Sequence, residues 1–549
     1  MRQSMSRCLN TLAVAGYRPS ARRFDAALEN PEAVQRDLLL QLLRENQDCE
    51  YGKQYGFRSI VSVEDYQQRV PIVTYDDIVR HVERVKAGEH KILTSEAVLT
   101  FEKSSGSVSA AKYIPYTRGL RTQFQAALGP WITDLYASFP GLADGFSYWL
   151  VTPLSREREF TPGGIPVGFE SDTEYFGPLL RWLLEKAMAV PSDLARVSAL
   201  EDCLFLTLRF LLQARSLTFI SVWNPSFLQI LLRRLELHGD RLVRDLREGQ
   251  ASVAGRLPTT ITSALKRDAT QAANLQAMLR RGSIDAEVLW RNLKLISCWT
   301  SAESAAMKWE IQRAFPGVAI QGKGLLATEG VVSIPIERYS GCVAAVTSHF
   351  LEFLDVKSGD CRLASDLADG AQYSVILTTG GGLWRYQLGD RVRVTGFAKR
   401  TPILEFIGKE DCVSDLRGEK LNSIFVAGAL AAFECCRSAS FVMLAPSRAE
   451  TPGYTLFLES PLAEAGLAVL LDRKLRANPH YAYCRDIGQL AELRLFQIRS
   501  GAQEAYLKRC QMLRQRAGSI KATTLHKQSG WEEVFTGGYV GAVAGEVCA

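Results

Sequence analysis

The chain reads as an α/β protein of two domains, and three observations lead there. Its 549 residues exceed what a single hydrophobic core usually holds. Twice, a short apolar run feeds through a turn into a helix. The first is Leu217-Thr218-Phe219-Ile220-Ser221-Val222-Trp223, then Asn224-Pro225-Ser226, then Phe227-Leu228-Gln229-Ile230-Leu231-Leu232. The second is Leu293-Lys294-Leu295-Ile296-Ser297-Cys298-Trp299, a helix over about 302–314, and a returning strand at Val318-Ala319-Ile320. Strand, helix, strand at that spacing argues for parallel pairing. Finally, the sequence turns polar over Gly408-Lys409-Glu410-Asp411 and stays so to Gly418-Glu419-Lys420, which sets a boundary between domains 1–410 and 411–549.

In chain order, the charged start is followed by Leu12-Ala13-Val14-Ala15, too short for the core of a signal peptide. Residues 31–77 carry a helical pattern, interrupted by Tyr51-Gly52-Lys53-Gln54-Tyr55-Gly56-Phe57. A strand then runs into a loop at Thr100-Phe101-Glu102-Lys103-Ser104-Ser105-Gly106-Ser107, and a helix follows over 118–136 with Phe124, Leu128 and Trp131 on its apolar side. Helical periodicity dominates 176–280. Strands are expected over 344–355, 373–379 and 403–407, with Gly380-Gly381-Gly382 as a turn. Beyond 411 come helices near 424–434 and 461–476 and a strand near 454–458. The last twenty residues, with Gly537-Gly538, read as a loosely held tail.

Composition narrows the function. A net charge of +6 over this length is too dilute for nucleic acid to be the main partner, yet it suits small anionic substrates. No run approaches the roughly 20 apolar residues of a membrane span, so a cytosolic protein with no membrane partner is expected. The 12 cysteines show no Cys-x-x-Cys spacing and the 6 histidines do not cluster, so neither a zinc site nor a disulfide scaffold is expected. His349, inside Val346-Thr347-Ser348-His349-Phe350, reads as a core or pocket-wall residue.

Five stretches carry candidate chemistry. The Ser104–Ser107 loop, trailed by Lys112, offers what phosphates need: small residues that let backbone amides approach, hydroxyl donors and a cation. Thr328-Glu329-Gly330 sets a hydroxyl beside a carboxylate able to hold magnesium, a hard cation that favours oxygen ligands. Gly389-Asp390 gives a bend and an acceptor for ribose hydroxyls. Lys409, Asp411 and Lys420 bring charge to the domain junction, and Lys521 follows the turn Gly518-Ser519-Ile520. Each alone has a plain structural explanation as a turn or a solvated side chain.

Jointly, these stretches resemble the Gretchen Hagen 3 family of acyl-acid amido synthetases, within the acyl-adenylate-forming superfamily. The markers are Phe101 to Ser107, Ser221-Val222-Trp223-Asn224-Pro225-Ser226-Phe227, Gln321 to Gly330, Ser348-His349-Phe350, Leu377 to Asp390, and Gly418-Glu419-Lys420-Leu421-Asn422. The resemblance implies a large N-terminal domain of sheets, barrel and helices and a smaller mobile C-terminal α/β domain. It also implies a two-step reaction using ATP and Mg2+. A carboxylic acid is activated as acyl-AMP, and an amine, that of an amino acid, then takes the acyl group to form an amide. Under it Ser104, Ser105, Gly106, Ser107 and Lys112 would grip phosphate. Thr328 would meet the α-phosphate, Glu329 the metal, Asp390 the ribose and Phe406 the nucleoside. Lys420 would lie near AMP, and Lys521 would swing in for adenylation and out for the second step. Trp223, Phe124, Leu128 and Ile334 would line the acid pocket, in a protein expected to act as a monomer.

Three positions depart from the pattern. Val108-Ser109-Ala110-Ala111 replaces a more glycine-rich stretch; Lys409 stands where adenylate-forming relatives commonly have Arg and lacks its forked contact; Ser423 stands where the family tends to have Glu. Competing readings are a CoA ligase using the same adenylate, an ATP-independent serine amidase built on Lys103 with Ser104-Ser105, and a nucleotide-binding protein without catalysis.

Overall fold

The computed structural model describes residues 2–103, 112–150, 159–168, 178–197, 199–300, 305–409, 413–447, 451–461, 466–512, 520 and 523–540. It opens on a helix that periodicity had not marked, Arg2–Ala27, with Pro19 inside it. This helix lies against Arg118–Ser138, and Gly129 makes the approach possible: a Cβ there would sit 2.9 Å from Cβ of Ser20 and 3.0 Å from the Tyr17 ring. The next helix, Pro31–Asn46, starts where Pro31 needs no donor and Asn30 caps the amide of Ala33. From it Gln35 donates to the carbonyls of Val346 (2.7 Å) and His349 (2.8 Å). The helical preface is thereby tied to the central sheet.

Strands β1 (Thr100–Lys103) and β2 (Tyr113–Tyr116) form an antiparallel hairpin around residues 104–111. After β3 (Phe146–Trp149), the short β4 (Glu159–Phe160) and β5 (Pro166–Val167) complete the hairpin's sheet, ordered β2-β1-β5-β4. The expected parallel unit is present: β6 (Leu217–Ser221), β7 (Leu295–Cys298) and β8 (Ala319–Gly322) join β3 in the order β3-β6-β7-β8, all parallel. All residues of β6 and β7 are buried, as in a sheet covered on both faces.

The barrel portion takes the form of a seven-stranded antiparallel sheet. Its strands are β9 (Ser333–Ile336), β10 (Gly341–Ala344), β11 (Phe350–Asp355), β12 (Cys361–Leu363), β13 (Gln372–Thr378), β14 (Tyr386–Ala398) and β15 (Thr401–Lys409). Their order is β12-β11-β13-β14-β15-β10-β9. The strand expected over 344–355 begins only at Phe350, after β10 has ended at Ala344, because Ser348 and His349 turn the chain inward: Ser348 Oγ donates to the Gln123 carbonyl at 3.0 Å.

Past the short pair β16 (Val413–Ser414) and β17 (Leu421–Asn422), the C-terminal part builds its own sheet from β18 (Phe441–Pro446), β19 (Tyr454–Glu459), β20 (Arg494–Ile498) and β21 (Gly537–Val540). The expected loose tail is corrected at β21. Gly537-Gly538 pair with Ile498 and Gln497, and Gly537 is required because a Cβ there would fall 2.1 Å from the Gln497 carbonyl oxygen. Tyr539 packs edge-on to Phe496 and under Arg494. Separate apolar clusters fill the two parts, with Leu507 of the helix Ala502–Met512 packing against both.

Candidate active site

Thr328, Glu329 and Gly330 form a tight turn between β8 and β9, closed by hydrogen bonds between the backbones of Ala327 and Gly330 (3.0 and 3.3 Å). Tyr116, at the end of β2, donates from its hydroxyl to the Thr328 carbonyl at 2.5 Å. The turn rests on His349: a Cβ at Gly330 would lie 3.0 Å from the ring Nε2. His349 is fully buried, shares a hydrogen bond through Nδ1 with Ser348 Oγ, and meets Phe124 edge-on. Burial pushes its pKa down to about 3, so it is a neutral wall, as its apolar setting in the sequence indicated.

Glu329 is 6% exposed, and burial holds its carboxyl above the usual carboxylate range. Lys409 and Lys112 oppose that shift, while Asp390 adds to it. These groups come from three elements and converge. Asp390 on β14 faces Lys409 on β15 in register, and Oδ1 is 3.1 Å from the Lys409 ammonium. The Asp390 side chain is buried, so this ion pair is its contact on the β14–β15 ladder. Lys112 leads into β2, with its Nζ 3.5 Å from the Tyr386 hydroxyl at the start of β14. Phe406, half-buried, pairs with Val392 two pairs along the same ladder, past a bulge.

Two carboxylates and two ammonium groups close enough to bear on one another suit a nucleotide. The Asp390 carboxylate can accept from ribose hydroxyls, and the lysines can meet phosphate oxygens. Among the described residues no three His, Cys, Asp or Glu side chains gather as a complete metal cage. A lone buried Glu329 fits Mg2+, which keeps several waters and takes the rest of its shell from substrate phosphates. The contact missing from the sequence reading is that of Lys409: in place of an arginine fork it gives Asp390 a point charge.

Other candidates lie elsewhere. Lys420 is exposed on the C-terminal part, in the left-handed region at φ 45°, with its carbonyl accepting from Asn478. The cations that bear on Glu329 are Lys409 and Lys112 instead. Ser104, Ser105, Gly106, Ser107 and Lys521 lie outside the described residues. Ile520, next to Lys521, is buried and its carbonyl accepts from Asn224 at 3.3 Å. Phe124 and Leu128 pack in the first core beside Tyr116, Trp223 edges the second, and Ile334 is fully buried core with no surface to offer a ligand.

One residue gave no sequence signal. Lys323, directly after β8, is 6% exposed and donates to Ser221 Oγ at 2.8 Å. Its Nζ lies 4.8 Å from the ring centroid of Trp131, 5.1 Å from that of Trp223 and 5.9 Å from that of Trp149. Lysine defaults to the surface, so only the fold reveals it.

Comparison with known proteins bears on the chain as a whole. The sequence matches the GH3 family N-terminal domain over residues 20–320, the central domain over 342–409 and the C-terminal domain over 425–529. It is 22% identical over 444 residues to indole-3-acetic acid-amido synthetase GH3.5 of Arabidopsis thaliana, covering 73% of this chain and 71% of that one. It is 23% identical over 442 residues to indole-3-acetic acid-amido synthetase GH3.6 of the same plant, with coverage of 73% and 71%. The fold matches that of the AtGH3.15 acyl acid amido synthetase in complex with 2,4-DB, with a TM-score of 0.79, 19% identity and 94% of each chain covered. With its three domains matched in order over most of its length, the chain belongs to the GH3 family.

Proposed function

We propose that the protein is an ATP-dependent ligase that joins a carboxylic acid to an amine, that of an amino acid, through an acyl-adenylate. In the first half-reaction a carboxylate oxygen attacks the α-phosphorus of ATP and pyrophosphate leaves. In the second the amine nitrogen attacks the activated carbonyl, AMP leaves and the nitrogen loses a proton. The observation that carries this reading is the convergence of Glu329, Asp390, Lys409 and Lys112. Charge builds on the phosphates in the first step, and fixed groups already aimed there lower its barrier without reorganising.

Each residue has a part. Lys112, Thr328 and the Ser104–Ser107 loop hold phosphate, Asp390 takes the ribose, Phe406 lies against the nucleoside, and Phe124, Leu128 and Trp223 face the acid. Glu329 would hold Mg2+, which when bound neutralises phosphate charge. The second domain, residues 411–549, acts as a lid carrying Lys420 and Lys521, with Lys521 engaged for adenylation and withdrawn for amide formation. The chain acts as a monomer on small molecules.

The amidase reading loses its base: Lys103 Nζ is bound to both Glu159 oxygens, at 2.6 and 2.8 Å. A CoA ligase would share the first step. Pyrophosphate release across a panel of carboxylic acids, followed by mass spectrometry with pooled amino acids and separately with CoA, tests the reading. Acid-dependent pyrophosphate followed by an amide supports it. A thioester in place of the amide would reassign the second step, and product formation without ATP would sink both.

A further inference from the structure

Resting on that adenylation reading, we infer that Asn224 and Arg234 are positioning residues for the first half-reaction. They hold the C-terminal domain in the arrangement of this structure, and that arrangement serves acyl-adenylate formation, not amide formation.

Both residues are set by local structure on the N-terminal side. Asn224 lies three residues past β6, in the turn that leads into the helix Ser226–Leu237. It is 5% exposed, and its side-chain amide donates across the domain boundary to the Ile520 carbonyl at 3.3 Å. Further along the same helix, the Arg234 guanidinium donates to both Glu201 oxygens, at 2.6 and 3.1 Å, and lies 3.8 Å from Glu504. Glu201 thus aims the planar fork before the C-terminal domain arrives.

The C-terminal side answers with one helix that has two faces. Ala502, Tyr506 and Cys510 of Ala502–Met512, spaced by four, are buried in the core of their own domain. Glu504 and Leu507, spaced by three, turn to the N-terminal domain, where Leu507 reaches the apolar cluster around β6 and Glu504 reaches Arg234.

The place of the Asn224 contact ties it to the first step. In open parallel sheets ligands bind beyond the carboxyl ends of the strands, and Asn224 stands at that end of β6. From the same edge β8 leads on to the Thr328–Glu329 turn. Ile520 precedes Lys521 in the chain, so a contact that docks Ile520 at this edge bears on the step that the adenylation reading gives to Lys521.

The seam is also weak enough to release. Glu310, on the helix Ala305–Ala314, is held above the usual carboxylate range by burial; Arg233 and Arg313 oppose the shift, and the charge of Glu459 across the boundary adds to it. Glu459 ends β19 and accepts from the Ala502 amide at 2.8 Å, at the start of the helix that carries Glu504. Two acids facing each other across the seam offset part of what Asn224, Arg234 and Leu507 contribute. A contact made in one arrangement and lost in the other shifts the population by its own free energy.

The test measures the two half-reactions separately on the full chain, on Asn224→Ala and on Glu504→Lys. The probes are the acid that releases most pyrophosphate among acetic, hexanoic, benzoic and phenylacetic acids, and its acyl-adenylate supplied with pooled amino acids. Asn224→Ala should slow pyrophosphate release by roughly fivefold, the loss of one neutral hydrogen bond. Glu504→Lys should slow it by about two- to fivefold, the scale of a part-exposed ion pair, and Glu504→Asp should restore part of that. Amide formation from supplied acyl-adenylate should hold or rise in every variant. Should Asn224→Ala fail to fold, Glu504→Lys carries the test, because the Glu504 side chain is 63% exposed and belongs to neither core. Equal loss in both half-reactions, loss confined to amide formation, or rates unchanged in both variants would overturn the inference and leave adenylation standing. No pyrophosphate release with any carboxylic acid would overturn the adenylation reading and the inference with it.

Discussion

Replacing Lys409 with Met removes the ion-pair partner that the β14–β15 ladder places against Asp390, at 3.1 Å. The Asp390 side chain is 2% exposed and that of Lys409 is 37% exposed. Breaking a fully buried pair costs about 3–5 kcal/mol because a charge is left behind, while an exposed pair contributes about 0–1 kcal/mol. Water reaches the lysine end, so the expected loss lies between these limits, about 1–2 kcal/mol. Urea unfolding should show a lower midpoint with an unchanged slope. Asp390→Asn should cost less, because it removes the charge that needs a partner. In the double variant the two effects should fall short of their sum by roughly 1 kcal/mol. Additive losses, or a midpoint unmoved by Lys409→Met, would refute the reasoning.

Glu329 has a folded pKa raised above its unfolded value. The folded state therefore holds more protons than the unfolded state between those two values, and the stability of the ligand-free protein should fall as pH rises through that window. Glu329→Gln should flatten the slope, as measured by denaturant unfolding across pH, and should weaken magnesium-dependent turnover; an intact slope and an unchanged magnesium response would remove Glu329 from the site. Gly330→Ala forces a Cβ to within 3.0 Å of the His349 ring and 3.3 Å of Leu377. It should cost about 1–3 kcal/mol and slow adenylation by displacing the Thr328–Glu329 turn, whereas a thermal midpoint and rate equal to the natural protein's would show that the turn has room. Lys521→Ala should slow acyl-adenylate formation by roughly 10²-fold and amide formation from supplied acyl-adenylate much less. Equal loss in both half-reactions would count against the lid.

Local pattern made the parallel sheet legible. Buried parallel strands are short, largely apolar runs, and β6 and β7 appear in the sequence as such runs followed by turns. Glu329 and Asp390 were legible as acids beside turn residues, but their meeting depends on how β8 leads into β9 and how β14 pairs with β15. Lys409 illustrates the limit: its pairing is a matter of register across two bulges, which no local motif encodes. Lys323 was invisible for a related reason, since three of the groups around it come from the Arg118–Ser138 helix, β3 and the end of β6. The helix Arg2–Ala27 escaped because its charged residues and Pro19 mask the apolar side that packs on Arg118–Ser138. The glycines near the C-terminus pointed the wrong way, because glycine there serves close approach of strands and not looseness.

The central claim is that the acid's own oxygen attacks the α-phosphate. Supplying the acid with both carboxylate oxygens labelled as 18O, together with ATP and the amino acid, and weighing the products settles the route. The account predicts one labelled oxygen in AMP, one retained in the amide carbonyl and none in pyrophosphate. Label appearing in inorganic phosphate alongside ADP, or remaining wholly outside the nucleotide, would contradict it.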